Sequence, residues 1–231
     1  MKWLLLLLLA VSMVMIVCIF LFCRKECHFT IWQCLVLPII YIIFGFFSIK
    51  LMFFIENGNF DGESFFGAVF FIPIFLLPIA PLIRVKYLEM LDMLSATGCM
   101  ALAVCKIRCL VVGCCQGIVI ATNGSKEIRF PCQICELITA SVLSVFLIIL
   151  VKREKCKHQV YPIFLVIYGF FRFIWNVFRD EQSFAFGLPI GNLWAFDAFL
   201  IGIVWLLIYN FVIKGRQKQA KQAIEADRRD D

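Results

Sequence analysis

Long apolar stretches separated by short polar segments dominate this chain. A membrane-spanning helix needs about 20 predominantly apolar residues, and seven stretches approach or exceed that length. They cover roughly residues 3–22, 30–54, 64–82, 93–120, 134–151, 160–178 and 191–213. The first is too long for the apolar core of a signal peptide, so we expect it to be retained. The pattern predicts an all-α integral membrane protein with seven transmembrane helices.

Composition supports this class of protein. Hydrophobic residues make up 63% of the 231 positions, and the mean hydropathy is +0.95. Both values lie far above those of an ordinary soluble domain. The composition changes abruptly after residue 213, where few large apolar residues remain. We therefore expect a single transmembrane domain over 1–213 and a charged cytoplasmic tail over 214–231.

Charge indicates the orientation of the helices. With the amino terminus outside, the segments 23–29, 83–92, 152–159 and the tail face the cytoplasm and hold 14 Lys and Arg residues. The opposite side holds five. Because cytoplasmic loops carry the excess of Lys and Arg, we expect the amino terminus outside and the carboxyl terminus inside. The net charge of +6 is then mostly a topology signal, and no nucleic-acid partner is expected.

Cysteine is abundant, with 12 residues. Cys114 and Cys115 lie near the predicted outer side, as do Cys132 and Cys135 of a C-x-x-C pair. Such residues can form disulfides in an oxidising envelope, or pack as small apolar side chains. A zinc site is less favoured, because no histidine lies near these pairs. No cofactor or metal is implied.

Three cations lie inside the apolar stretches. Lys106 and Arg108 belong to KIRCLVVGCCQG (106–117), and Arg172 belongs to YGFFRFIWNVFR (168–179). A charge deep in a bilayer costs at least ~2.5–3.5 kcal/mol, and such residues usually face a cavity and serve a function. These cations are the strongest functional signal in the sequence.

The fourth stretch carries small residues at helical spacing from Lys106. Cys109, Gly113 and Gly117 follow it at i+3, i+7 and i+11, which places them on one face of a continuous helix. The Gly113 and Gly117 pair fits close helix packing, and it also fits a ligand beside Lys106. Arg108 lies on another face, where it can snorkel or meet another helix.

The sixth stretch carries a polar stripe. Tyr168, Arg172, Asn176 and Arg179 are spaced i, i+4, i+8 and i+11 on an otherwise apolar helix. Arg179 can be an interface anchor. Arg172 lies deeper and can pair with Glu136, or its planar fork can bind an anionic ligand such as a phosphate.

A third polar group opens the fifth stretch, in RFPCQICE (129–136). Gln133 and Glu136 are spaced i, i+3 and point to the same side. They can cap or hydrogen-bond neighbouring elements. Alternatively, they position a substrate or hold one of the buried cations.

These groups, in this order, resemble the prolipoprotein diacylglyceryl transferase family of bacterial inner-membrane enzymes. KIRCLVVGCCQG resembles the family signature R-x-G-[NC]-F-x-N-G-x-x-x-G. RFPCQICE resembles R-x-P-x-Q-L-Y-E, YGFFRFIWNVFR resembles Y-G-x-x-R-x-x-x-E-x-x-R, and SFFGAVFF (64–71) resembles S-F-H-G-G. The resemblance runs from about residue 62 to residue 201, and the family has the same helix number and orientation.

The resemblance implies an activity: transfer of a diacylglyceryl group from phosphatidylglycerol to the lipobox cysteine of a prolipoprotein signal peptide, with release of glycerol phosphate. It implies a multi-pass protein of the bacterial inner membrane. Arg172 and Lys106 are then the expected catalytic residues. The expected substrate-binding residues are Tyr168, Gln133, Glu136, Arg179, Asn176, Cys109, Gly113 and Gly117.

The chain departs from the family pattern at several polar positions. The family histidine is Phe66, the signature arginine is Lys106, the signature's second asparagine is Val112, and the acid of the last motif is Asn176. These changes keep two alternatives open. One is a divergent family member that binds phospholipid and is inactive or uses another acceptor. The other, less favoured, is a small membrane transporter.

Overall fold

The computed structural model describes residues 2–123, 126–153, 156–180, 184–185 and 188–230. In these ranges the chain forms seven α-helices and two short antiparallel strand pairs. In chain order the elements are α1 Lys2–Phe22, α2 Ile31–Asn57, α3 Phe66–Leu82, α4 Tyr87–Val112, β1 Val119–Asn123, β2 Lys126–Arg129, α5 Cys132–Arg153, α6 Val160–Val177, β3 Phe184–Ala185, β4 Leu188–Pro189 and α7 Ile190–Asp230. The last helix continues through the segment for which a charged tail is predicted.

Several helices have the length and composition of membrane spans. Within the described ranges, five qualify: α2, α4, α5, α6 and the Ile190–Val212 part of α7. Shorter apolar helical segments cover Leu6–Phe22 and Phe66–Leu82. Large apolar side chains on the outer helix surfaces are exposed, including Trp32, Phe46 and Val142, as lipid-facing positions require. The chain is a mostly helical, multi-pass membrane protein.

Local sequence explains where the second helix begins and ends. The Thr30 hydroxyl accepts a hydrogen bond from the Gln33 backbone N–H, and the Gln33 side chain accepts one from the Thr30 N–H. This reciprocal capping satisfies two donors at the helix start. At the other end, Gly58 adopts a left-handed conformation with φ 73° and donates to the Phe54 carbonyl, as glycine does at many helix ends.

Helix α4 lies at the centre of the bundle and packs against α1, α3, α5 and α6. Its Asp92 also caps another helix, because the carboxylate accepts hydrogen bonds from the backbone N–H groups of His158 (2.8 Å) and Tyr161 (3.2 Å) at the start of α6. Farther along the helix, the Ala96 carbonyl accepts from the Ser144 hydroxyl of α5 at 2.8 Å. These bonds fix how far α4, α5 and α6 slide past one another.

Glycine allows close helix contact at two interfaces. A Cβ at Gly67 of α3 would lie 2.0 Å from the Ser48 carbonyl oxygen of α2. A Cβ at Gly169 of α6 would lie 2.6 Å from the Ala195 carbonyl oxygen of α7. Small residues at such crossings let helix backbones approach in membranes. The α6 contact holds the polar face of α6 at a fixed rotation.

The fourth apolar stretch is not one helix. Helix α4 ends at Val112, where Gly113 adopts φ 76° and donates to the Cys109 carbonyl at 2.9 Å. Residues 113–118 form a loop, and the apolar residues after it enter the β1–β2 hairpin. The apolar stretch 93–120 therefore extends past the end of the helix into a strand, because hydropathy alone does not separate an apolar strand from a helix. We call the side of the bundle with this loop, the hairpin and residues 58–65 and 178–180 the hairpin end.

Candidate functional site

A buried ionic cluster joins three helices below the hairpin end. The Glu136 carboxylate of α5 forms ion pairs with the Lys106 ammonium of α4 and with the Arg172 guanidinium of α6. The three side chains are 5%, 7% and 12% exposed respectively. Buried charges need such partners, since an unpaired one carries a large desolvation penalty. The cluster carries one net positive charge.

The structure confirms one of the predicted alternatives for Arg172, which is the ion pair with Glu136. Arg172 also lines a polar cavity, and its binding of an anion stays a prediction. Lys106 joins the same carboxylate, a contact that sequence reasoning offered only as a general possibility for Glu136. Both predicted catalytic residues thus lie at one place.

The polar stripe on α6 runs along this cluster. Tyr168 and Asn176 are 6% and 1% exposed. Within the described ranges, neither the Tyr168 hydroxyl nor either amide atom of Asn176 has a hydrogen-bond partner in the protein. Buried polar groups are normally paired with protein or ordered water. Both residues lie about one helical turn from Arg172, on the same face of α6.

Arg179 does not belong to the helical stripe, because α6 ends at Val177. It follows the helix and forms an antiparallel bridge with Gly117. The Ile118 N–H donates to the Phe178 carbonyl at 2.9 Å, and the Asp180 N–H donates to the Gln116 carbonyl at 3.1 Å. These backbone bonds hold Arg179 above Arg172, so the two arginines reach the same cavity by different means.

Gly113 and Gly117 do not form the predicted helical pair. Gly113 ends α4, and Gly117 lies in the bridge to Arg179. A Cβ at Gly117 would lie 2.4 Å from the Phe130 carbonyl oxygen, so a side chain there would displace the start of the hairpin. The predicted common face of Lys106, Cys109, Gly113 and Gly117 is therefore wrong, because the helix stops before the two glycines. Only Lys106 and Cys109 share that face of α4.

Two predicted polar residues support the hairpin end. The Gln133 side-chain amide donates to the Cys114 carbonyl at 2.8 Å, which ties the loop after α4 to the start of α5. The Arg108 guanidinium lies 3.3 Å from a Glu63 carboxylate oxygen. Gln133 thus orients the loop, and Arg108 meets the segment before α3 rather than joining the buried cluster.

A polar cavity of about 120 Å³ opens beside the two arginines. This is several times the space that a single water molecule needs. Among the residues that line it are Arg172, Arg179, Glu56, Glu63, Ser64 and Phe66. The Ser64 hydroxyl donates to Glu56 at 2.9 Å. Two cations and two carboxylates thus face one small volume, which is suited to a charged head group.

Phe66 stands where the pattern S-F-H-G-G, which this segment resembles, has histidine. Phe66 is 3% exposed and packs 6.0 Å from the Tyr168 ring, measured between ring centres. It lines the polar cavity but has no group that can accept a proton. The replacement of histidine by Phe66 therefore lies at the same cavity as Arg172 and Arg179.

On the other side of Arg172 lies a narrow, largely apolar cavity of about 20 Å³. It is bordered by Leu102, Ala140, Leu143 and Phe171, with Glu136 and Tyr168 at its polar side. Arg172 thus lines both the apolar cavity and the polar one.

Three thiols gather where α4 meets the loop. The Sγ atoms of Cys109, Cys114 and Cys115 all lie within 4.8 Å of one another. The Arg179 guanidinium contacts the Cys115 Sγ at 3.3 Å. A hydrogen bond from the Cys109 thiol and the positive charge of Arg179 lower the pKa of Cys115. Cys132 is separate and lies 3.8 Å from Glu136.

Sequence reasoning missed the acidic residues of the cavity. Glu56 and Glu63 are the first and last residues of the polar segment ENGNFDGE (56–63). Their spacing carries no motif, and only the fold brings them to Arg172 and Arg179. Their proximity to Ser64, within the motif that resembles S-F-H-G-G, was the one available signal.

Fold and site together define a multi-pass membrane protein with a buried ionic cluster and a cation-lined cavity between its helices. Residues 38–208 match the sequence profile of the family described as prolipoprotein diacylglyceryl transferase. Since this covers most of the chain, the protein belongs to the prolipoprotein diacylglyceryl transferase family.

Two relatives share part of the sequence, and both are named phosphatidylglycerol–prolipoprotein diacylglyceryl transferase. The one from Verminephrobacter eiseniae (strain EF01-2) is 38% identical over 81 residues, which cover 33% of this chain and 29% of the relative. The one from Polaromonas naphthalenivorans (strain CJ2) is 35% identical over 98 residues, 40% of this chain and 36% of the relative. The chain thus matches about a third of the length of these relatives.

Proposed function

We propose that this protein transfers a diacylglyceryl group from phosphatidylglycerol to the lipobox cysteine thiol of prolipoproteins. Family membership supports the reaction class, and the names of both relatives state this donor and acceptor for those proteins. The observation that carries the proposal is the convergence of Arg172 and Arg179 on one polar cavity beside an apolar region.

The reaction needs a sulfur nucleophile and a stabilised leaving group. The acceptor thiolate attacks the carbon of the diacylglyceryl unit that bears the phosphate ester. A C–S bond forms there, and the bond between that carbon and the phosphate oxygen breaks. Glycerol phosphate leaves with the electron pair. Arg172 and Arg179 stabilise the charge that develops on the departing phosphate, a form of catalysis in which fixed donors act where charge appears. The arginine fork suits phosphate oxygens.

Glu136 and Lys106 support Arg172 in this scheme. Glu136 holds one side of the guanidinium and fixes its direction. Lys106 balances the second carboxylate oxygen and adds positive charge near the phosphate. Tyr168 and Asn176, whose polar atoms lack partners in the described part of the protein, supply hydrogen bonds to the bound lipid.

The acceptor thiol must lose a proton before or during attack. Phe66 cannot take it, although the family places histidine there. The carboxylates that line the cavity, Glu56 and Glu63, are groups of the right chemistry, and the thiol proton passes to this pair in our scheme.

The proposal includes a topology. The domain over 1–213 spans the bacterial inner membrane seven times with its amino terminus outside, and the tail over 214–231 is cytoplasmic. The hairpin end then faces outward, where the signal peptide of a translocated prolipoprotein and the lipid meet. No nucleic acid takes part.

The test uses purified protein in detergent, phosphatidylglycerol and a synthetic lipobox peptide with one free cysteine. Mass spectrometry should detect a peptide that has gained one diacylglyceryl group. Arg179→Gln should lower the rate on the order of 10²–10³-fold, as expected when one stabilising donor is lost. Arg172→Lys should also lower it, because lysine keeps the charge but lacks the fork.

Arg153→Gln is the matched control. Arg153 is an exposed arginine in the last turn of α5, at the end opposite the hairpin end, so its loss should leave the rate unchanged. Full activity in Arg179→Gln would refute the proposed role of the cavity. No adduct in any reaction, while an active family enzyme modifies the same peptide, would refute the transferase assignment.

A second function is favoured by the substitution at Phe66. A family member that binds phospholipid without transferring it would keep Arg172 and the cavity while losing the proton acceptor. Phosphatidylglycerol would then raise the melting temperature without yielding any product. If the transferase is active, Phe66→His should leave the rate unchanged or raise it.

A further inference from the structure

The cluster of Cys109, Cys114 and Cys115 has no part in the proposed transfer reaction. Only Cys109 matches a family position predicted to contact substrate. The sequence favours a structural or disulfide role over a zinc site for the C-C pair, because no histidine lies near it. The fold places a third thiol, that of Cys109 at the end of α4, beside the pair, and three thiols can bind a metal ion without histidine.

We propose that these three thiols form a binding site for a thiophilic divalent metal ion of the zinc type. Thiolate sulfur is a preferred ligand of such ions. The three Sγ atoms lie within 4.8 Å of one another. At a Zn–S bond length near 2.3 Å, tetrahedral geometry needs sulfur atoms on the order of 3.7 Å apart, so small side-chain rotations suffice.

A disulfide fits the same cysteines less well. It needs two sulfur atoms at about 2.05 Å and Cα atoms usually about 4.4–6.8 Å apart. Cys114 and Cys115 are adjacent in sequence, where the Cα separation is about 3.8 Å. Pairing either of them with Cys109 would leave one thiol over, whereas a metal ion uses all three.

The backbone around the cluster is already arranged for joint binding. Gly113 and Cys115 both adopt left-handed conformations, with φ values of 76° and 57°. The second of these is a strained conformation for a residue with a side chain, and such strain concentrates at functional sites. It turns the chain back so that Cys114 and Cys115 lie over Cys109.

Three hydrogen bonds keep that turn in place. The Gln133 side-chain amide donates to the Cys114 carbonyl at 2.8 Å, the Ile118 N–H donates to the Phe178 carbonyl at 2.9 Å, and the Asp180 N–H donates to the Gln116 carbonyl at 3.1 Å. The thiols are therefore presented by a loop that is fixed to both α5 and the end of α6. A preorganised ligand set loses little conformational freedom on binding.

The surrounding charge matches the complex. Three thiolates and one divalent ion carry one net negative charge, and the Arg179 guanidinium lies 3.3 Å from the Cys115 sulfur. A hydrogen bond from such a partner orients a metal ligand and tunes it. Cys114 is exposed, so an ion can reach the cluster from solvent.

Binding requires no oxidant. Three metal–sulfur bonds form as the thiols give up their protons to the buffer, and no electron is transferred. The ion then links the end of α4 to the loop that carries Gly117, and through it to Arg179. The ion holds this loop in place and takes no part in the transfer reaction.

Metal binding can be measured without lipid or peptide, so the result is independent of the transferase test. The reduced protein, without a histidine tag and freed of metal by a chelator, is titrated with Cd²⁺ and with Zn²⁺. Cadmium should give a thiolate-to-metal charge-transfer band in the ultraviolet that saturates at one ion per chain. Zinc binding, measured in a separate titration by competition with a chromophoric chelator, should reach the same stoichiometry.

Cys114→Ser is the informative variant, because its exposed side chain can be replaced without disturbing the core. It should weaken zinc binding by at least roughly 100-fold, the upper part of the ~10–100-fold range seen when an outer partner of a ligand is lost. Cys105→Ser is the matched control: Cys105 is an exposed thiol of the same helix outside the cluster, so binding should be unchanged. Zinc should raise the melting temperature of the wild type and the control but not of Cys114→Ser.

Two results would overturn the inference. One is the absence of saturable binding in the reduced wild-type protein. The other is equal zinc affinity in Cys114→Ser and the wild type, which would place the bound ion elsewhere.

Discussion

Replacement of Glu136 by glutamine tests the energetic role of the buried cluster. Glutamine has nearly the same volume as glutamate and keeps hydrogen-bonding capacity, so the change removes little besides the negative charge. It leaves the ammonium of Lys106 and the guanidinium of Arg172 facing each other in a site where neither side chain is more than 12% exposed. We therefore expect strong destabilisation.

The magnitude follows from what each substitution leaves behind. Breaking a buried ion pair by removing one partner costs about 3–5 kcal/mol. For a protein of this size, that corresponds to a fall in melting temperature of roughly 6–20 °C. Lys106→Met instead leaves the neutral pair of Glu136 and Arg172, and its cost should stay below about 1.5 kcal/mol, as for replacements that conserve volume.

The double variant gives the sharpest comparison. With Lys106→Met added to Glu136→Gln, the Lys106 ammonium is no longer buried beside a residue that has lost its negative charge. The double variant should therefore be more stable than Glu136→Gln alone, although it carries an additional substitution. Such non-additivity is expected for residues in one charged network.

Thermal unfolding in detergent, followed by tryptophan fluorescence, measures all three variants. Glu127→Gln serves as the control, because Glu127 pairs with Arg129 at the exposed hairpin and a surface pair is worth only about 0–1 kcal/mol. The reasoning is refuted if Lys106→Met destabilises the protein as much as Glu136→Gln, or if the two substitutions are additive.

Two further predictions concern packing and pH. Gly67→Ala should destabilise the protein by about 1–3 kcal/mol, because the added Cβ would clash with the Ser48 carbonyl. Gly98→Ala is the control and should leave the stability unchanged, because no atom lies within 4 Å of the added Cβ. Thermal unfolding compares the two variants. Burial lowers the pKa of His158 below 6.5, so the neutral form is favoured in the folded state. Its contribution to stability should be intact above pH 6.5 and decrease as the pH falls below that value, and His158→Gln should reduce the loss in melting temperature between about pH 7.5 and about pH 5.5.

The apolar stretches predicted most helices because each helix core coincides with a long run of apolar residues. The end of α4 was not predictable by the same means. Ile118 and Ile120 continue the apolar composition beyond Val112, yet the left-handed turn at Gly113 has already stopped the helix. Hydropathy reports how apolar a segment is, and it does not report its backbone conformation.

Some residues of the site could be predicted from the sequence, and others could not, because their positions depend on contacts between distant segments. Arg172 and Glu136 were recognisable as possible partners because each is a charge in an apolar helix. The contributions of Glu56 and Glu63 depend on how the end of α2 meets α6, and a single sequence carries no record of that contact. The gathering of Cys109 with Cys114 and Cys115 depends likewise on the backbone turn after α4.

The order of the cluster along the chain has a consequence for biogenesis. Lys106 leaves the ribosome first, Glu136 follows on the next helix, and Arg172 comes last. The first two can enter the bilayer as a neutral pair of Lys106 and Glu136, whereas Arg172 enters on α6 with an insertion cost of about 2.5–3.5 kcal/mol for an unpaired arginine. A carboxylate that is already in place offsets part of that cost at the moment of insertion. We therefore expect Glu136 to favour the insertion of α6 into the membrane, before any substrate is bound.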